Sequence, residues 1–379
     1  MINERNLKQR SYGRTTTRLM ESEVTKNQTD RVDFTGDRIY VGIDVHKKQW
    51  NVSIMGAFKE HKTFVQPPDA AKLGNYLRAN FPNADYYSVY EAGFSGFWAH
   101  EDLQKEGLTN IVINAADVPT TNKEKYQKRD SVDSRKLCRS LREGSLMGIH
   151  VPSREELEDR GTVRLRKRLI TDISRCKNRI KGQLNYYGID IPEQMGESYW
   201  PKRFIVWLSN LQMEHPSGNF TIRTLVCELL RIQELKRDLD RYLIQMGKEK
   251  YPGQIKLLRS IPGIGMIGAM TLITELGDCK RFKQFDQLCS YVGLIPNVYS
   301  SGETEHVGHL TNRKNQYVLP ILLQCAWKAV GKDPALMKAY QDWCKTMKAN
   351  KAIIRICRKL LNRIRHVMIH QQEYKCSIL

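Results

Sequence analysis

Acidic side chains are scarce relative to basic ones. The 379 residues include 41 Asp and Glu against 61 Lys and Arg, a formal net charge of +20. That balance excludes an acidic, solvated chain, and a hydrophobic content of 41% is too high for wholesale disorder. No apolar run approaches the about 18 residues that a membrane span needs, so no membrane partner is expected. The opening MINERNLKQRSYGR lacks an apolar h-region, so no secretory signal is expected. The nine cysteines are odd in number and no two stand at CxxC spacing. This argues against a zinc site or a disulfide framework and for reduced, mostly buried thiols. No zinc finger, clear helix-turn-helix or Ser-His-Asp spacing is present to read bases or to hydrolyse esters.

What is there is positive charge, unevenly placed. Residues 38–150 hold 16 basic and 13 acidic side chains, whereas residues 251–379 hold 19 and 8. A polyanion, most simply nucleic acid, is the expected partner, and the C-terminal third is the part that grips it.

The length fits two or three domains. Residues 1–37 are polar and aperiodic and read as a flexible extension. From Arg38 the pattern changes. IYVGIDV (39–45), QWNVSIMGA (49–57) and His61–Val65 read as three consecutive strands. Asp69 can cap a helix to about Asn80. Tyr86–Tyr90 reads as a strand, 95–106 as a helix, Ile111–Asn114 as a strand and Ser131–Arg142 as a helix. The order β-β-β-α-β-α-β-α predicts a ribonuclease H-like mixed sheet over 38–150, with helices on both faces. Leu165, Leu169, Ile173, Cys176, Ile180, Leu184 and Tyr187 form an apolar seam, and Leu225 to Tyr242 forms another. These predict an antiparallel helical hairpin over 151–250, narrow enough for a coiled coil, which packs within one chain or dimerises. Residues 251–379 read as a mainly helical domain with a loop centred on SSG (300–302) and a basic tail helix. The fold class is therefore α/β plus α.

Four carboxylates stand where chemistry could use them. Asp44 ends the first strand, Glu91 ends the fourth, and Asp130 and Asp133 open the third helix on one face. In a ribonuclease H-like order the two strands are neighbours with that helix across them. Clustered carboxylates repel unless a cation neutralises them. Hard oxygen donors favour Mg²⁺ or Mn²⁺, and paired ions of this kind serve phosphodiester chemistry. His46 and His100 lack ligand spacing and read as structural or phosphate-proximal.

In the last third, IPGIG resembles a helix-hairpin-helix turn, in which Gly263 and Gly265 allow close backbone approach to a phosphate. A tight interhelical turn is the plainer alternative. Nine Lys or Arg fall in 345–375 against the single acid Glu373. Lys351, Arg355, Arg358 and Lys359 among them suit a phosphate-binding helix face.

Taken together, GIDVHK, YEAG, KRDSVDS, SIPGIG, GD-x-x-RF (Gly277, Asp278, Arg281, Phe282), YVGLIP and SSG resemble, in this order, the DEDD transposases of the insertion sequence 110 family. That family includes bridge-RNA-guided recombinases and pilin-gene invertases. The resemblance runs from about Arg38 to Tyr374. It implies a RuvC-type domain whose D-E-D-D ligands match Asp44, Glu91, Asp130 and Asp133, and a C-terminal transposase domain whose nucleophilic serine matches Ser301, with Ser300 the alternative. It implies Mg²⁺, target and donor DNA, a structured guide RNA, a homo-oligomer, and a cytoplasmic, nucleoid-associated protein. The chain departs from the family's usual basic residue at Asn312, glycine at Lys314 and arginine at Leu319; Arg313 and Lys314 stand in for the missing charge. Two other readings of the same residues remain: a metal-dependent, structure-specific DNA nuclease resembling junction resolvases, and a catalytically inactive RNA- or DNA-binding remnant.

Overall fold

A run of β-branched residues alternating with small or polar ones forms the centre of the first unit. The computed structural model describes residues 33–118, 130–195, 200–301, 304–311 and 313–376. All but five residues of the expected extension, and Gly302 of the SSG loop, lie outside them. The chain divides into two compact units, Met1–Val151 and Pro152–Leu379.

In the first unit, β1 (Arg38–Val45), β2 (Trp50–Met55) and β3 (Glu60–Gln66) form an antiparallel meander. Helix α1 (Ala70–Asn80) follows, its first turn capped by Asp69 Oδ1, which accepts from the Lys72 amide at 3.0 Å. Then come β4 (Asp85–Glu91), α2 (Trp98–Lys105) and β5 (Thr109–Ile113). The sheet order is β3-β2-β1-β4-β5, with β1, β4 and β5 mutually parallel. The period of two in the strands sorts the side chains. Ile39, Val41, Ile43, Trp50, Val52, Ile54, Tyr90 and Val112 bury one face with Leu73 and Leu77 of α1 and Ala99 and Leu103 of α2. Val89 and Ile113 bury the other face with Leu137 of α3 (Asp130–Arg142).

Helix α3 lies unusually close to the sheet. A Cβ on Gly42 would stand 2.1 Å from the Ser134 carbonyl oxygen and 2.4 Å from the Cys138 nitrogen. Only a residue without a side chain fits there. Two bonds hold the contact: the Cys138 thiol donates to the Tyr40 carbonyl at 3.1 Å, and the Ser134 and Ser53 hydroxyls are 2.9 Å apart. Burial pushes the Cys138 thiol up to about 12, so it stays protonated and inert.

The second unit opens on a long helical hairpin. α4 (Arg154–Tyr186) starts in a capping box of Ser153 and Glu156. α5 (Lys202–Asn210) sits at the tip, and α6 (Pro216–Lys250) returns. The ion pairs Arg179–Glu228 and Arg166–Asp240, both at 2.6 Å, run in opposite chain order on the two helices, as an antiparallel pair requires. Burial alone would raise the Asp240 pKa; Lys236 and Arg166 outweigh it and hold the carboxyl below its ordinary value. The expected seam is buried only towards the tip, where Cys176, Ile180 and Leu184 pack with Phe204, Val226 and Leu229. Leu165, Leu235 and Tyr242 are exposed instead.

The rest of the unit surrounds α8 (Met266–Leu276), which is apolar on nearly all sides. Around it stand α7 (Pro252–Arg259), α9 (Phe285–Val292), α10 (Val318–Val330), α11 (Pro334–Cys344) and α12 (Ala349–His370). The expected loop centred on SSG (300–302) is flanked by two strands that the sequence reading did not include: β6 (Pro296–Ser301) pairs antiparallel with β7 (Thr304–Leu310). Val298, Tyr299, Thr304 and Val307 suit strands, and the short Ser-Gly segment hid this alternation. Six of the nine cysteines are buried and all are free. No described helix is long and apolar enough to cross a membrane.

Glu275 of α8 is fully buried, and Arg164 of α4 answers it with two hydrogen bonds, at 2.7 and 3.0 Å. Two substitutions test these contacts by chemical denaturation. Gly42→Ala forces α3 off the sheet and should cost about 1–3 kcal/mol or more, because a methyl group has no space to enter. Arg164→Ala leaves the Glu275 carboxylate buried without its cation and should cost about 3 kcal/mol, whereas the double replacement Arg164→Met with Glu275→Leu should recover most of that loss.

Candidate active site

The last register pair of the parallel β1–β4 ladder is Ile43 with Tyr90. One step further along each strand come Asp44 and Glu91, at the carboxyl ends of neighbouring strands about 4.8 Å apart. Both belong to the face on which Gly42 and Val89 meet α3. Along α3, Cys138 lies over Tyr40 and Ser134 over Gly42. One further turn reaches Asp130, the first residue of the helix. Eight residues of helix and four of strand each advance about 12–13 Å, so the start of α3 comes level with Asp44. Asp133 adjoins Ser134 and is half-buried. The side chain of Asp130 lies outside the described residues.

The four carboxylate positions therefore come to one end of the sheet. The side chains do not form a closed cage: among the described residues no three metal-ligating groups are gathered closely enough to hold an ion. Asp44, 23% exposed, is instead engaged by His46, whose Nε2 lies 3.0 Å from Asp44 Oδ2; Glu91 is exposed. The donor set nevertheless fits a hard divalent cation, being composed of carboxylate oxygens. Asn51 supports that fit. It pairs with Asp44 across the β1–β2 ladder, is 5% exposed, and its Nδ2 has no hydrogen-bond partner among the described residues. A buried donor of this kind suits an added oxygen, whether from a hydrated ion or a phosphate. Sequence reasoning missed Asn51; its place in the alternation QWNVS was the only signal. His100 is structural: its Nδ1 is 2.6 Å from Asn110 Oδ1, and Asn110 donates to Ser88 at 2.9 Å.

In the second unit, Ser300 and Ser301 end β6, and Ser301 faces Thr304 in the last register pair of the hairpin. Their side chains lie outside the described residues. What can be traced is the root of the hairpin. The Thr311 amide donates to the Ile295 carbonyl at 3.0 Å. Gly293, at φ 88°, closes α9, and a Cβ there would strike Lys314. Asn315 then ties the segment after β7 to the core. Its Nδ2 donates to Glu275 Oε2 at 2.9 Å, and its Oδ1 accepts from the Tyr317 and Val318 amides. Tyr291 donates to the Glu275 carbonyl at 2.9 Å, and the Arg164 guanidinium lies over the Tyr317 ring at 4.6 Å. This network was also invisible to sequence reasoning; its one trace was an acid inside the apolar run GAMTLITEL.

The expected phosphate-contacting residues fall into two groups. Lys351, Arg355 and Lys359 are exposed at successive turns of α12, and Arg355 and Lys359 both lie over the Trp343 ring, at 5.6 and 5.5 Å. Arg313 and Lys314 are exposed after β7. Arg358, by contrast, pairs with Asp286 at 2.5 Å. Its neighbours Arg363 and Arg365 are also occupied, by fully buried Asp333 and by the Phe282 and Lys283 carbonyls. In the IPGIG turn, a Cβ on Gly263 would stand 2.4 Å from the Cys325 carbonyl, so this glycine packs the turn against α10. Gly265 is the N-cap of α8, with open space around it and no side-chain cap. Leu319 is 6% exposed within the apolar core; Asn312 lies outside the described residues.

The chain is similar to known transposases. The Transposase IS116/IS110/IS902 family model matches residues 255–341, and the DEDD transposase model of the IS110 group matches residues 41–189. A putative transposase y4qE of Sinorhizobium fredii is 26% identical over 300 residues, covering 76% of this chain and 71% of its own. A second from that organism, y4rJ, is 26% identical over 372 residues, covering 85% and 90%. The transposase for insertion sequence element IS1111A of Coxiella burnetii is 23% identical over 257 residues, covering 67% and 70%. The first model covers the part of the second unit that contains Ser301, the second covers the carboxylate sheet and the start of the long hairpin, and the chain is accordingly a DNA transposase of the IS110 DEDD family.

Proposed function

We propose that the chain is the transposase of an insertion sequence that cuts and rejoins DNA through a serine–phosphodiester intermediate, with Mg²⁺ held by Asp44, Glu91, Asp130 and Asp133 and with sites chosen by an element-encoded RNA. The observation that carries this reading is the meeting of Asp44, Glu91 and the start of α3 at one end of adjacent parallel strands. When bound, Mg²⁺ or Mn²⁺ would supply Lewis acidity and lower the pKa of a hydroxyl, and Ser301 has no protein base of its own at triad spacing.

In the proposed exchange the Ser301 Oγ attacks phosphorus. An O–P bond to serine forms, the O–P bond to one DNA strand breaks, and the serine proton ends on the departing DNA hydroxyl. A second DNA hydroxyl then attacks the phosphoserine ester, and the proton it loses returns to Ser301. Bond number is conserved in each step, so strands can be rejoined without an external energy source. A purely hydrolytic cut would discard that linkage.

Charge supports a division of labour between the two units. Lys351, Arg355 and Lys359 suit backbone contacts, which give affinity without sequence choice. The chain lacks a zinc finger or clear helix-turn-helix, so base pairing by a guide RNA would supply the choice, as in other guided systems. Leu165, Leu235 and Tyr242, exposed along the helical hairpin, suit assembly with a second copy of the chain.

The test is trapping of protein–DNA adducts on cognate DNA. Wild type should form a covalent adduct at Ser301 that chelation of divalent ions prevents and Mg²⁺ restores. Ser301→Ala should abolish the adduct while DNA binding persists, and Asp44→Asn should abolish both adduct and cleavage. Cleavage by Ser301→Ala at the wild-type rate would instead favour a hydrolytic nuclease. A second experiment concerns the RNA: recombination should require it, and changing its pairing segment should move the joined site. Recombination at an unchanged site without RNA would rule out guidance.

A further inference from the structure

The segment joining β4 to α2, Ala92 to Phe97, leaves the sheet directly after Glu91 and is firmly held. The Ala92 amide donates to the Ile113 carbonyl at 2.7 Å, and the Gly96 amide donates to the Gly93 carbonyl at 3.2 Å. Gly96 stands at φ 65°, a conformation that favours glycine. From below, the hydroxyl of Tyr90, a fully buried ring, donates to the Gly96 carbonyl at 3.2 Å. Beyond the turn, Phe97 packs against the core of the α1–α2 face, and Trp98 sets its ring 5.7 Å from that of Trp50. Phe94 is treated differently. It sits at the tip of this pinned turn and is 77% exposed.

Exposure alone decides nothing, because Phe58 is 100% exposed. Phe58, however, belongs to the β2–β3 turn, at the opposite end of the sheet from the carboxylates. Phe94 is three residues beyond Glu91 and at the same end as Asp44. A large apolar ring held in water by a rigid turn gains nothing for the fold, and the occupant that a phosphodiester-processing site brings to it is DNA. Every base offers a flat face, so an aromatic ring can stack on one without reading its identity.

We infer that Phe94 stacks on a DNA base beside the phosphate being processed and holds that base out of its pair. This rests on the carboxylate reading above. Phe94 is then a positioning residue: by opening the duplex locally it brings the phosphate to the metal-binding end of the sheet. Unstacking a base is unfavourable, and insertion of an apolar side chain offsets this.

The experiment uses the full-length protein with its RNA and duplex DNA spanning the element's own junction, with 2-aminopurine next to the cleaved phosphate. Wild type should change the 2-aminopurine fluorescence on binding, and Phe94→Ala should not. Phe94→Ala should also cleave fully paired DNA about tenfold or more slowly, recover to near the wild-type rate when the flanking pairs are mismatched, and melt at the wild-type temperature. Phe94→Trp should restore both the signal and the rate. Equal slowing on paired and mismatched DNA, or an unchanged fluorescence response in Phe94→Ala, would overturn the proposal. Cleavage that survives Asp44→Asn would show instead that the carboxylate reading has failed, and the inference would fall with it.

Discussion

A missing side chain sets the geometry of the carboxylate site. Because Gly42 presents only a hydrogen atom, α3 descends until its backbone touches β1. That depth lets Ser134 and Cys138 bond to the sheet, and it brings the start of the helix level with Asp44. Any side chain at position 42 would lift the helix along its whole length. Even a small lift matters at the helix start, since carboxylates must approach within a few ångströms to share an ion. Packing and chemistry are therefore one constraint in this unit.

The second unit uses a charge where the first uses a gap. Glu275 is buried near the C-terminal end of an apolar helix, at a cost that only its partners offset. Those partners come from separate places, Arg164 from the long hairpin and Asn315 from the segment after β7, while Tyr291, in the helix before β6, donates to the Glu275 backbone carbonyl. A hydrophobic residue could fill the same space. It could not specify, through directional bonds, that the segment after the β6–β7 hairpin and the long helix meet at one point. The hairpin bearing Ser301 is thus rooted beside a buried polar cluster of its unit.

Much of this was legible before any coordinates. The three-strand meander and the alternation after it place the sheet to within about two residues at most boundaries, because β-branched runs and the Asp69 cap are local signals. The carboxylates were legible because strand ends and a helix start determine their positions. The hairpin at 296–310 was not, because its strands are short and lie beside Gly and Ser that read as turn. Asn51, Tyr90 and Glu275 were not, because their roles exist only once distant segments meet: an amide left unpaired against Asp44, a hydroxyl bracing the turn after Glu91, a carboxylate joining three elements.

The basic tail shows the same limit from the side of charge. By composition every Lys and Arg of α12 is equally available to phosphate. Folding separates them. Arg358, Arg363 and Arg365 face neighbouring elements and are occupied by Asp286, Asp333 and backbone carbonyls. Lys351, Arg355 and Lys359 repeat every four residues along the exposed edge. The +20 of the whole chain therefore overstates the charge offered to DNA, and the helical period decides which part of it faces solvent. The stripe is also not purely ionic, since Arg355 and Lys359 flank the half-buried Trp343 ring. A ring contacted by two cations restricts their side chains, so less conformational entropy would be lost on meeting an anion than for isolated lysines.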